Sequence, residues 1–364
     1  MQFYLPLTLT TLLLSINTVA AAQDVRPATA LTSAARSAVV LALGGHLRSD
    51  YVFADTGKKL ADALTAKLAR GGYNTATTPQ ALEAALTEDL RAIGKDAHLR
   101  VRFAPEFRAP TSNGKPMNPD QVAMVRGSVA ERAFGISRVQ RLAGNVGYLD
   151  LRGFGPTEFV AEAYTQAIGL LSGTDALIID LRQNGGGDPS SVAELISHFF
   201  PEGDSRHLND IYSRTDGTTR SYWTNPAVTV RYTKSIMVLT SHDTFSGGEE
   251  FAYDLQTQKR AVVIGETTGG GANPGDNVPL AEGFIAFIPT GRAINPITKT
   301  NWEHVGVAPD VMVPAAAAMK AAYVAILKDL IEKARDPEQR QGLSGTLASL
   351  EKDEIQLPIY TPRR

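Results

Sequence analysis

No cysteine occurs in the 364 residues, which excludes disulfide frameworks, thiolate zinc sites and cysteine nucleophiles together. Aromatic residues are sparse at 7%, and neither charge sign dominates: 36 Lys and Arg stand against 38 Asp and Glu, a net of −2. Without a basic stripe there is no electrostatic footprint for a nucleic acid, and none is expected as a partner. None of the six histidines shows H-E-x-x-H spacing, so zinc catalysis is not expected. The glycine turns fail G-x-G-x-x-G, and no Gly-Lys-Ser/Thr follows them, so neither a nucleotide cofactor nor a metal is expected. What remains, 43% hydrophobic and 20% charged, is ordinary globular composition. A chain of this length buries an adequate core without covalent staples.

Long apolar runs are also missing, with one exception. Phe3 to Ile16 is almost wholly apolar, the first charge is Asp24, and Ala20-Ala21-Ala22 offers small residues to a signal peptidase. The stretch is short for a spanning helix. It reads as a signal peptide over 1–22, although its n-region lacks Lys and Arg. The mature chain is expected to be soluble, without a membrane span, in a periplasm or outside the cell.

The remainder divides by period. Leu60, Leu64 and Leu68 recur at helical spacing between Thr56, a candidate cap, and Gly71-Gly72. Leu82, Leu86 and Leu90 do the same after Thr78-Pro79, a cap followed by proline at the first helical position. Ala35 to Leu47 supplies a third helix, so 23–110 reads as a small N-terminal helical bundle. A Pro/Gly/Asn-rich stretch, Ala109 to Pro119, opens a connector with a helix and a strand over 111–145. From Val146 short apolar runs alternate with helices: strands at Val146–Leu151, Ala176–Leu181, Ser235–Thr240 and Ala261–Gly265, with helices between. This predicts a mixed α/β core of β-α-β units with parallel pairing over 146–336. Further strands are expected at Phe284–Ile288 and Val305–Val313, then a helix at Ala315–Arg335 and a C-terminal tail at 337–364.

Two glycine turns carry the chemistry. In Ile179-Asp180-Leu181-Arg182-Gln183-Asn184-Gly185-Gly186-Gly187 a buried strand runs into three glycines and then a helix. Such a turn lets backbone N–H groups approach a ligand, and a helix N-terminus favours negative charge. Taken alone it is simply a tight βα turn. In Thr240-Ser241-His242-Asp243-Thr244-Phe245-Ser246-Gly247-Gly248-Glu249 a strand again ends and a helix begins at Ser246. Ser246 is either a nucleophile with its own or the next amide at an oxyanion, or a helix N-cap paired with Glu249 in a capping box.

Together with Gly265-Glu266-Thr267-Thr268-Gly269-Gly270-Gly271 and Trp302-Glu303-His304-Val305-Gly306-Val307-Ala308-Pro309-Asp310, these turns resemble the S41 family of serine peptidases. That family contains the C-terminal processing proteases, the tricorn core and the retinoid-binding-protein modules. The resemblance implies a crotonase-like, sandwich-like β-α-β catalytic core, and the lead segment through Asp96-Ala97-His98 looks like the helical N-terminal part of the retinoid-binding-protein-like branch. Val101 to Asn145 is too short for the PDZ domain of the processing proteases, so no PDZ domain is expected.

The family has two catalytic designs. A Ser–Lys dyad would place its lysine where this chain has Gly271, and Lys259, the nearest downstream lysine, reads as a surface charge. The tricorn-like design of serine, histidine and an acidic residue matches Ser246, His98 and Glu303, with Ala97 where that pattern has serine. By this resemblance His98 is the general base, Glu303 orients it, and the Gly247 amide with one from Gly185 or Gly186 forms the oxyanion hole. The expected activity is hydrolysis of peptide bonds in unfolded or short polypeptides through an acyl-enzyme on Ser246. Alternatives are a non-catalytic module holding a hydrophobic ligand, and a hydrolase of non-peptide esters using Lys259 or His242 as base. His304 is expected to point away from Glu303 along an extended strand; His46, His198 and His207 read as surface or capping residues.

Overall fold

The computed structural model describes residues 30–107 and 117–362. The apolar leader and most of the 109–119 stretch therefore lie outside the described residues. Helices α1 (Ser33–Ser49), α2 (Ala54–Ala69) and α3 (Pro79–Gly94) lead into strand β1 (Arg100–Phe103). The Thr78 hydroxyl caps α3 by accepting from Ala81 N–H at 3.2 Å, with Pro79 at the first helical position. Thr56 is not the cap of α2: the helix starts two residues earlier, behind Phe53, whose side chain makes no capping bond.

The connector holds helix α4 (Pro119–Glu131) and strand β2 (Ile136–Leu142). The core then runs β3 (Val146–Leu151), α5 (Thr157–Leu171), β4 (Ala176–Asp180), α6 (Pro189–Ser197), β5 (His207–Ser213), β6 (Thr219–Trp223), β7 (Ser235–Thr240), α7 (Gly247–Thr257) and β8 (Val262–Gly265). It finishes with β9 (Gly275–Pro279), β10 (Phe284–Pro289), β11 (Gly291–Ile294), β12 (Val311–Met312), α8 (Ala315–Lys333) and α9 (Pro337–Glu351). Within the span read as a tail, α9 packs Leu343 and Leu350 under α8.

The central sheet has the order β12-β8-β7-β4-β3-β2, parallel except where β2 meets β3. Its inner strands are buried on both faces, so their sequences are continuous apolar runs rather than alternations. On β4, Leu177 and Ile179 face the core under α5, α6 and α7, while Ile178 faces α8 and α9. The result is three layers, helices on both sides of a sheet.

A second, smaller sheet joins the two halves of the chain. β10 lies between β1 and β9, antiparallel to both. Phe284, Ala286 and Ile288 of β10 are buried against the α1–α3 leucines. The lead bundle thus closes its core on a strand of the α/β body. Arg214 reinforces the join by donating to the Tyr51 and Arg48 carbonyls.

The expected strand at Val305–Val313 shrinks to Val311–Met312. His304 and Gly306 have φ of 66° and 70°, which a strand cannot contain. The stretch is a turn, and the expectation that His304 points away from Glu303 is overturned: the half-exposed ring turns back, with Nδ1 3.6 Å from Glu303 Oε1.

Candidate active site

The two glycine turns leave the C-terminal ends of the paired parallel strands β4 and β7, the position where open α/β sheets bind ligands. Asn184, fully buried, fastens one turn to the other. Its side chain donates to Leu151 O (3.0 Å) and accepts from Gly186 N–H (2.8 Å), and its carbonyl accepts from Phe245 N–H (3.0 Å). A Cβ on Gly248 would stand 2.7 Å from its Oδ1, so only glycine permits this approach. Beneath, Arg182 is 1% exposed, pairs with Asp180 at 2.6 Å and donates to Ala315 O at 2.8 Å.

Ser246 sits at the mouth of α7 with φ 53° and ψ −121°. A non-glycine residue adopts this region only when its surroundings impose it, at a cost of order 1–3 kcal/mol. The imposing group is Glu249. Its carboxylate accepts from Ser246 N–H (2.8 Å), Thr268 Oγ1 (2.6 Å), Gly270 N–H (2.6 Å) and Gly271 N–H (2.8 Å). Burial pushes its pKa up to about 7 in spite of those donors. The capping-box reading therefore identifies a real contact, but Glu249 ties the serine to the Thr268–Gly271 loop as well.

Several amides can be assigned. The Ser246 N–H is engaged by Glu249. Gly186 N–H is held by Asn184, and Gly185 N–H donates to Arg152 O at 3.1 Å. Neither is free for an oxyanion, which corrects the expectation placed on that pair. Gly187 N–H and Gly247 N–H have no acceptor among the described residues, and Gly187 N would lie 3.0 Å from a Cβ on Gly247. These two amides, with the N-terminus of α7, make the positive concavity beside Ser246.

His98 arrives from the lead domain. α3 ends in a left-handed Lys95, and Asp96 Oδ1 accepts from His98 N–H at 2.9 Å just before β1. The imidazole lies between two rings, 4.5 Å from Phe245 and stacked 5.6 Å from Phe287, centroid to centroid. It is 4% exposed, and neither ring nitrogen has a hydrogen-bond partner among the described residues. His98 and Ser246 line one cleft of about 470 Å³, with Gly185–Gly187, Phe245 and Phe287. A Cβ on Gly271 would stand 2.7 Å from His98 Cε1 and 2.3 Å from Phe245 Cζ. The histidine ring thus occupies the space beside position 271, where a dyad lysine would begin.

Two carboxyls meet the imidazole, one of them unforeseen. Asp96 Oδ1 is 3.6 Å from His98 Nδ1, and Asp96 accepts from Tyr51 Oη (3.2 Å) and Asn273 Nδ2 (3.0 Å). Burial alone would raise its pKa, but His98 and Asn273 hold it below the usual carboxylate range. Glu303 accepts from Ala272 N–H at 2.5 Å, while its buried Oε1 has no hydrogen-bond partner among the described residues and lies 3.6 Å from His304 Nδ1. Burial and the nearby Asp96 charge push its pKa to about 8. Donor atoms of Asp96, His98 and Glu303 lie within 4.8 Å of one another, close enough to ligate a cation.

The remaining candidates lie elsewhere. His242 and Lys259 are exposed; Lys259, with φ 55°, lies past the far end of α7. His46 pairs with Asp50 at 2.7 Å, and His207 stacks on Trp223 at 4.4 Å. His198 is not a surface residue: it is fully buried, and its Nδ1 meets Val230 O at 2.8 Å.

A doubly covered, mostly parallel sheet with a strained serine at one helix N-terminus and free amides beside it defines a three-layer α/β protein with a candidate serine-type site. Peptidase family S41 matches residues 145–313, and the N-terminal domain of peptidase S41 in eukaryotic IRBP matches 22–135. The chain belongs to peptidase family S41. It is 28% identical over 235 residues to carboxyl-terminal-processing peptidase 2, chloroplastic, of Arabidopsis thaliana, covering 61% of this chain and 41% of that protein. With carboxy-terminal processing protease CtpB of Bacillus subtilis it shares 26% identity over 162 residues, 44% of this chain and 32% of that one. The chain therefore spans less than half the length of these relatives. A candidate peptidase from Parabacteroides merdae shares the fold, with a TM-score of 0.52 at 15% identity over 89% of this chain and 99% of that one. Among the described residues no helix is long and apolar enough to cross a membrane.

Proposed function

We propose that this protein is an exported serine peptidase that hydrolyses peptide bonds in unfolded or short polypeptides through an acyl-enzyme on Ser246. The observation that carries the reading is the convergence, in one cleft, of a strained serine, a buried histidine whose ring nitrogens make no hydrogen bond and the acceptor-free Gly187 amide, with the acceptor-free Gly247 amide next to the serine. The processing-peptidase names of its relatives support the same reaction class. Export rests on the apolar Phe3–Ile16 segment and the alanines after it.

In this mechanism Ser246 Oγ attacks the scissile carbonyl as His98 takes its proton, and His98 returns the proton to the leaving amine. The oxyanion forms against the Gly187 and Gly247 amides, and each such donor contributes about 10²–10³ in kcat. Two nearby carboxyls with pKa values driven apart take different roles. Asp96 is the ionised one and balances the imidazolium charge; Glu303, protonated through neutral pH, holds the Ala272 amide beside the imidazole. Water then enters and hydrolyses the ester by the same route in reverse.

The test is turnover of casein by the wild type beside Ser246→Ala, His98→Ala, Asp96→Asn and Glu303→Gln, each checked for folding by circular dichroism. Loss of cleavage with Ser246→Ala and His98→Ala is the expected result. Undiminished cleavage by either variant would refute the assignment.

A further inference from the structure

A second cleft, of about 560 Å³, lies beside the catalytic one and shares Gly185, Gly186 and Gly187 with it as a common wall. Val129, Phe134, Phe154 and Pro156 give it an apolar lining, with Arg132 and Arg152 also at its wall. The connector contributes Val129, Arg132, Phe134 and Gly135, and the core supplies the rest of its walls.

The backbone that displays Phe134 is strained. Ala133, Phe134 and Gly135 are left-handed in succession, with φ of 48°, 58° and 82°. Only Gly135 adopts this without penalty, and a Cβ there would stand 2.1 Å from Gly153 O. The strain is held by Arg152 N–H donating to Gly135 O (2.7 Å) and Gly135 N–H donating to Arg132 O (3.0 Å). Its effect is to leave an aromatic ring only partly packed on the main core and open to the cleft. Strain maintained in this way marks sites that use it.

Charge at the cleft is uneven. Arg152 is held by Asp150 through two bonds, of 2.5 and 2.7 Å. Arg132 has no ion pair or side-chain hydrogen bond among the described residues, and it lines the same cleft.

The position of the glycine wall limits what can enter. A Cβ on Gly186 would stand 2.7 Å from Ser246 Cβ and 2.8 Å from Gly247 N, so this wall is one backbone thick and carries no side chain. A substrate carbonyl held on the Gly187 and Gly247 amides has its neighbouring side chain within one residue's rise, about 3.3 Å along an extended chain. We infer that this cleft is the specificity pocket of the peptidase. It receives a large apolar side chain (Leu, Met or Phe) of the residue beside the scissile bond, and Arg132 disfavours lysine and arginine there. This rests on the serine-peptidase reading.

The test uses the full chain and quenched fluorescent peptides that differ only at one residue beside the cleaved bond: Leu, Phe, Gly or Lys. The wild type is expected to prefer Leu and Phe over Gly by about 10- to 200-fold, the range for filling or leaving empty an apolar pocket. Phe134→Ala should reduce that preference, and Arg132→Gln should raise the relative rate on Lys. Because Phe134→Ala also removes the ring's packing on the main core, Val129→Trp is the companion variant: by filling the cleft it should abolish the Leu and Phe advantage and leave Gly turnover in place. If the wild type cleaves all four equally, or if Phe134→Ala and Val129→Trp keep its profile, the pocket assignment is overturned while the peptidase reading stands. No cleavage of any peptide, with Ser246 unreactive, overturns both.

Discussion

The turns after β4 and β7 look alike in sequence, each closing on a polar residue followed by glycines, Asn184 in one and Ser246 in the other, yet they do opposite things. The first presents backbone only: Asn184 holds the Gly186 amide and the turn brings the acceptor-free Gly187 amide to the cleft. The second presents a side chain, Ser246, in a conformation that glycine would adopt freely and serine does not. Their fastenings differ in kind too. Asn184 is neutral and indifferent to pH, whereas Glu249 is a buried carboxyl with a pKa near 7. Glycine runs thus mark where the backbone must come close, and the buried polar residue beside each run decides what it offers.

The largest effect expected on this comparison comes from removing the proposed nucleophile. Ser246→Ala should lower kcat on the order of 10⁶-fold, the scale of nucleophile loss in other serine hydrolases, with unfolding temperature little changed. Next, Gly271→Ala should push the His98 ring away from its place against Phe245. A displacement of this size costs about 100-fold in kcat, and stopped-assay kinetics on a single peptide would detect it. Asn184→Ala should act mainly on stability: it leaves Gly186 N–H and Leu151 O buried without their partner, at about 1–3 kcal/mol per group. Urea melts at several pH values would show a pH-independent loss.

The smallest effect concerns pH. Glu249 and Glu303 have pKa values raised to about 7 and about 8, so the native state holds protons that the unfolded chain releases. Stability is then fully present below the ordinary carboxylate range and declines as pH rises through 7 to 8. Glu303→Gln should flatten part of that decline in urea melts between pH 5 and 9, while Asn184→Ala leaves the slope as it was. An unchanged slope in Glu303→Gln would place the titration elsewhere.

Much of the frame was legible because its signals are local. Strands β3, β4 and β7 are unbroken apolar runs, and Thr78-Pro79 announces α3 by its own chemistry. Strands β5, β6 and β9 gave no such signal: they are short, largely polar and half-exposed, so only pairing defines them. The Gly306 and His304 turn hid inside a valine-rich stretch that reads as a strand. At the site, residue type and motif pointed to Ser246 and His98, but not to Asp96. Its role depends on Tyr51 and Asn273, each remote in sequence. The shift from Gly185 or Gly186 to Gly187 was likewise beyond reach, since it turns on a single side-chain bond from Asn184.

The most direct test of the account is reaction of the full protein with a fluorophosphonate, read by mass spectrometry of the digested adduct. The account predicts one modified residue, Ser246, with labelling strongly slowed in His98→Ala and preserved in Lys259→Ala and His242→Ala. Labelling of another serine, or equal rates with and without His98, would contradict it.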